Sequence, residues 1–137
     1  MKKLKKRTQQ AGPRPPSEKQ WQAFERAYAI AETGDMAKAR VAYERAARMG
    51  SPHAQINLAH LYDGGAFGFV DRARARALGK RAFRQGYAQG AYNLAQTYRM
   101  DNKRRWYFYW LRRAANAGDT DAKEELRSLE TAASKIK

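Results

Sequence analysis

Cysteine is absent from the 137 residues, so disulfides, thiolate metal sites and cysteine nucleophiles are all excluded. Histidine is nearly absent: His53 and His60 are the only two. They stand seven residues apart, too far along a helix axis to share a metal directly, and no third ligand accompanies them. No metal site is expected. No run approaches the roughly 18 uninterrupted apolar residues that a membrane-crossing helix needs, so membrane insertion is not expected. Met1 to Arg7 has the charge of a signal-peptide opening, but Thr8-Gln9-Gln10-Ala11-Gly12-Pro13 follows where the apolar stretch would stand. A cytoplasmic location is the expectation. No Gly-rich loop lies between a strand and a helix, and no Ser, His and carboxylate set has a recognisable arrangement. No catalytic residue, no cofactor and no enzymatic activity are expected.

Acid is also scarce. Against 28 Lys and Arg the chain has 13 Asp and Glu, for a formal net charge of +15. The imbalance is local. Residues 1–19 carry seven basic side chains and one Glu, and residues 36–117 carry sixteen basic and four acidic ones. Residues 118–137 are close to balance, with four against five. A field of this sign favours anionic partners and repels cationic ones.

What the chain has in quantity is repetition. Ala54-Gln55-Ile56-Asn57-Leu58-Ala59-His60-Leu61-Tyr62 returns 36 residues later as Gly90-Ala91-Tyr92-Asn93-Leu94-Ala95-Gln96-Thr97-Tyr98. Arg45 to Gly50, Arg81 to Gly86 and Arg113 to Gly118 share a frame with Arg at its start and Gly at its end. The glycines are spaced 36 and then 32 apart, so one copy holds four residues that the next lacks. A period in this range, built of short helical segments, means stacked helix pairs.

Residues 1–17 join a basic run to Gly12-Pro13-Arg14-Pro15-Pro16 and have little to bury, so they read as a flexible arm. The arm is expected to act by electrostatic attraction, and its deletion to leave thermal stability almost unchanged. The repeat domain then occupies 18–137. Ser17 caps a first helix through Trp21, Phe24, Ala27, Tyr28 and Ala31. A second runs from about Met36 to Met49, and Ser51-Pro52 opens a third. The Gly-rich stretch 64–70 is a loop, Asp71 caps a helix to about Gln85, and further helices are predicted at 88–100, 103–117 and 120–133. The hairpins thus span about 18–50, 51–86 and 87–118, and the capping helix about 120–133. Leu58, Tyr62, Leu78, Leu94, Tyr98, Trp110 and Leu111 are the expected core.

Asn57-Leu58-Ala59-x-x-Tyr62-x-x-Gly65, then Asp71-x-x-x-Ala75, Ala82 and Gly86, resembles the Sel-like repeat, a relative of the tetratricopeptide repeat. Gly34-Asp35-x-x-x-Ala39-x-x-x-Tyr43-x-x-Ala46 is similar to the tetratricopeptide turn and second helix. The resemblance covers roughly residues 20–118. It departs from the family pattern at Phe67 and Gly68, where Gly and Val are expected. It implies an all-α, right-handed α-α superhelix, a solenoid of three helical hairpins plus a C-terminal capping helix. It also implies binding of proteins or peptides, with no shared chemistry.

Three constellations could carry that binding. Lys38, Arg40, Arg45 and Arg48 map, after a shift of 36, onto Arg74, Arg76, Arg81 and Arg84, and Arg113 extends one row. These are expected as basic rows on the outer side of the array; a solvated surface would explain them equally. Arg105, Trp106, Phe108, Tyr109 and Arg112 lie in a run of five consecutive aromatics flanked by Arg. Tyr107, Trp110 and Leu111 should face the core and Trp106, Phe108 and Tyr109 should point elsewhere. Such a helix fits a protein interface, a nucleic-acid stacking platform, or a face covered by the terminal helix. Third, His53, Ile56, Asn57 and His60, with Gln89, Tyr92, Asn93, Gln96 and Arg99, are candidates for the concave groove. The expected function is a non-enzymatic adaptor, monomeric on its own, for an acidic protein or peptide. The competing reading is sequence-tolerant binding of RNA, DNA or the ribosome.

Overall fold

The computed structural model describes residues 13–136, and over this range the chain forms seven α-helices and no strand. They are α1 (Glu18–Glu32), α2 (Met36–Arg48), α3 (Pro52–Asp63), α4 (Arg72–Arg84), α5 (Ala88–Met100), α6 (Arg104–Asn116) and α7 (Thr120–Lys135). Each helix packs on the next, and α1, α3 and α5 also touch one another in turn. The result is an all-α helical-repeat solenoid. One layer is α1, α3 and α5, the second is α2, α4 and α6, and α7 closes the C-terminal end against α6.

The turns explain the repeating glycine. After α2, α4 and α6, residues Gly50, Gly86 and Gly118 take φ of 91°, 96° and 102°. Their N–H groups donate to the carbonyls of Ala47, Phe83 and Ala115. The N–H groups of Ser51, Tyr87 and Asp119 reach back to Ala46, Ala82 and Ala114. Each pair of bonds satisfies carbonyls that a helix end leaves orphaned, in a left-handed conformation that costs Gly least. At the other ends Ser17, Asp35, Ser51, Asp71 and Asp119 each accept a bond from a backbone N–H in the first turn.

The core is rich in Ala, which lets the helices approach closely. One cluster gathers Tyr43, Leu58, Tyr62 and Leu78 among alanines. A second gathers Leu94, Tyr107, Trp110 and Leu111. Tyr98, expected in the core, is only partly buried, because its ring lies at the edge under Trp106 with centroids 6.1 Å apart.

Residues 1–12 of the expected arm lie outside the described residues. Residues 13–17 do not behave as a free tether. Pro13 lies against Gly86, and the Arg14 carbonyl accepts a 3.0 Å bond from the Tyr87 hydroxyl. Ser17 forms a reciprocal capping box with Gln20, whose side-chain amide also donates to the Met49 carbonyl at 2.9 Å. Deleting 1–17 removes this cap and this docking. The deletion is therefore expected to cost about 1–2 kcal/mol, readable as a lowered melting temperature. An unchanged melt would show that the cap and the Tyr87 contact contribute nothing.

Candidate binding surfaces

Charge separates by layer. The second-layer helices α2, α4 and α6 carry four, six and four Lys or Arg and a single carboxylate, Glu44. The first-layer helices carry two, none and one basic side chains against three, one and no acidic ones. The excess positive charge of the helical array therefore belongs to one layer.

Not all of it faces solvent unpaired. Arg74 of α4 donates to Glu44 of α2, which also accepts from the Tyr62 hydroxyl of α3. Arg76 and Arg72 converge on Asp101 at 2.6 and 3.1 Å, and Arg72 also lies 3.5 Å from Asp63. Arg81 reaches the Ala47 carbonyl at 3.4 Å. Arg40 sits over the rings of Tyr62, Phe67 and Phe69, and Arg113 over Phe83, Tyr109 and Trp110. Arg74, Arg76 and Arg81 therefore hold one repeat to its neighbours, while Lys38, Arg45, Arg48 and Arg84 are exposed. Sequence spacing set these residues in rows but could not show which had partners, since the carboxylates come from other helices and from the turn after α5.

Burial opposes the charge on Glu44, but the bonds from Arg74 and Tyr62 outweigh it and hold the carboxyl below the usual glutamate range. A group whose pKa falls on folding adds stability above its ordinary value and loses it as pH drops through the folded value. Glu44→Gln is expected to cost about 1–3 kcal/mol at neutral pH, toward the lower end because Arg74 is partly solvated. The difference from wild type should shrink on acidification. Denaturant midpoints from pH 7 to pH 3 measure it; a gap that stays constant would contradict the assignment.

The aromatic helix divides nearly as expected. Tyr107, Trp110 and Leu111 are buried, while Trp106 and Tyr109 are 47% and 45% exposed. Phe108 departs from expectation. It packs at the edge of the C-terminal cluster, which also collects Leu126 and Leu129 of α7, and Arg104 and Arg112 lie over its ring at 5.7 and 6.0 Å. Arg105 and Arg112 are exposed.

The expected first-layer groove is only partly assembled. Ile56 is buried and unavailable to a ligand. His53 is half-buried among Trp21, Phe24 and Tyr87, and burial lowers its pKa. Asn57 donates to the Tyr43 hydroxyl at 3.5 Å, and Gln96 donates to Glu125 at 2.8 Å. Burial, followed by Glu125, pushes Tyr92 up to about 12. His60, Asn93 and Gln96 share a cleft of about 20 Å³ with Asp63, in which the buried Asn93 Nδ2 has no protein partner. Gln89 and Arg99 are exposed.

A larger concavity escaped the sequence reading. A groove of about 810 Å³ runs between α1 and α2, with Lys19, Arg26, Lys38 and Arg45 among its lining and no carboxylate. Ala23, Ile30, Val41 and Met49 line it as well, and in sequence they look like ordinary core positions.

Compared with protein-family models, with curated proteins and with solved structures, the chain matches none. Among the described residues no group of three or more His, Asp or Glu is placed to hold a metal ion. Among them, too, no helix is long and apolar enough to cross a membrane.

Proposed function

We propose that the protein is a non-enzymatic adaptor that binds an acidic protein or peptide through the cationic layer of its repeat array. The observation that carries the reading is the segregation of charge: fourteen basic side chains against Glu44 alone on α2, α4 and α6. Ten of these fourteen are exposed and Glu44 is not, so the exposed charges on these helices are of one sign, unlike a surface kept charged only for solubility. The two carboxylates whose pKa values are lowered are both engaged by arginine. Asp101 is held down mainly by Arg76, and Glu44 is bound by Arg74 and Tyr62. Both are structural ion pairs, one joining α2 to α4 and the other joining α4 to the turn after α5. Membership among Sel-like and tetratricopeptide-like repeats, and a cytoplasmic location consistent with the absence of cysteine, belong to the same proposal.

Exposed Trp106 and Tyr109 beside Arg105 and Arg113 favour a second reading, sequence-tolerant nucleic-acid binding by stacking and phosphate contact. Pull-down from lysate with and without nuclease separates the two. Recovery of one defined protein after nuclease treatment is the expected result; loss of every partner on treatment would overturn the adaptor reading in favour of nucleic acid.

A further inference from the structure

The array contains its own template for what fills the α1/α2 groove. Hairpins α1/α2 and α5/α6 run in a constant register of 68 residues, which superposes Ala27 on Ala95, Tyr43 on Leu111 and Gly50 on Gly118. Both turns within these hairpins also hold a positive-φ residue at matched positions, Gly34 and Asn102. In that register Ala23, Arg26, Ala42 and Arg45 stand where Ala91, Leu94, Trp110 and Arg113 stand. The third hairpin uses this face to seat the second-layer helix before it. Leu94 packs at Gly79 of α4, Trp110 meets the Phe83 ring edge-on at 6.0 Å, and Arg113 covers the same ring. The second hairpin seats α2 in the same way, with Arg81 on the Ala47 carbonyl and Arg74 on Glu44. In the first hairpin the corresponding face is the open groove.

We propose that this groove seats a helix from an acidic partner, docked as the second-layer helix that would precede α1. The inference rests on the adaptor reading and narrows it to one place. The lining keeps an apolar floor: Val41 is 69% exposed, which a purely solvated end would not require. The rim is one-signed. Arg26 stands where the third hairpin has Leu94, and Lys19, Lys38 and Arg45 complete a ring without a carboxylate in the lining. Lys38 matches Arg74, whose carboxylate partner lies on the docked helix, so the occupant should place a carboxylate opposite Lys38. The nearest acid, Asp35, caps α2 through the Lys38 N–H and lies 3.9 Å from the Lys38 ammonium in an exposed pair of little strength. From Lys19 to Ile30 the groove follows α1 for about three turns, roughly 16 Å, which suits a short amphipathic helix. Residues 1–12 carry five basic and no acidic side chains, so like charge argues against them as the occupant. A second copy would offer α7 from its C-terminal end, a helix of first-layer position, which does not match the seat.

The test uses the full chain and a stapled helical peptide with an Ala/Leu stripe flanked by Glu, against a peptide of equal composition with the stripe scrambled. Wild type should bind the striped peptide at least roughly tenfold more tightly than the scrambled one. Val41→Asp and Arg45→Glu, both at exposed positions, should weaken binding by about tenfold, while Arg84→Glu on α4 should change it less than about twofold. Circular dichroism confirms that each variant is folded. If Arg84→Glu weakens binding and Val41→Asp does not, the groove proposal fails and the broader adaptor reading stands. If neither peptide binds, the groove proposal fails, and the nuclease-treated pull-down decides the adaptor reading separately. Equal affinity for the two peptides overturns the groove, as does displacement of the striped peptide by a uridine oligonucleotide at physiological salt. Self-association in sedimentation that Val41→Asp abolishes would give the seat to a second copy and likewise overturn the proposal.

Discussion

Gly90→Ala is expected to destabilise the protein by roughly 1–3 kcal/mol, against the direction that helix propensity alone would set. Alanine in place of glycine gains about 1 kcal/mol in a helix interior, and the same sign is expected in the first turn of α5, where Gly90 lies. Here a Cβ would sit 2.5 Å from the Gly79 carbonyl oxygen and 2.8 Å from the Phe83 nitrogen, both backbone atoms of α4. Backbone cannot swing aside as a long side chain can, so α4 and α5 would have to separate. The approach is mutual, since a Cβ on Gly79 would lie 2.9 Å from the Gly90 carbonyl. The strain falls where the two core clusters adjoin. Urea denaturation of wild type and variant decides the sign; a stabilised variant would mean that the helices are not this close.

Leu94→Ala is expected to cost about 2–5 kcal/mol. Leu94 is fully buried, in the second core cluster and against Gly79. Gly79, against which it packs, has no side chain with which to refill the space, so a cavity should persist on that side. A loss below about 1 kcal/mol, measured by the same denaturation, would indicate that the site collapses freely.

The number and order of helices were legible because the signals are local. Gly50, Gly86 and Gly118 mark three helix ends by a backbone conformation that only a few residues tolerate, and Ser17, Ser51, Asp71 and Asp119 mark starts by their caps. Gly79 signals a close contact in the sequence, since it sits in the middle of a helix where glycine is costly. The surfaces were less legible. Arg74 finds Glu44 thirty residues away and Arg76 finds Asp101 twenty-five away, contacts set by the stacking of hairpins. His53 and Ile56 fit a groove by spacing, yet one packs among Trp21, Phe24 and Tyr87 and the other is buried. The α1/α2 groove was hidden for the converse reason. Its small and apolar lining looks like core until the preceding helix position is seen to be open.

If the second layer is the binding surface, charge reversal within that layer should abolish binding. Lys38, Arg45, Arg48 and Arg84 are exposed, so replacing all four by Glu should leave the fold intact. A first-layer variant, Gln89→Glu with Arg99→Glu, alters the opposite layer at exposed positions. The two are compared with wild type in quantitative pull-downs after nuclease treatment. The second-layer variant should lose the recovered protein partner and the first-layer variant should keep it. Retention by the second-layer variant, with loss in the first-layer one, would contradict this assignment of the surface.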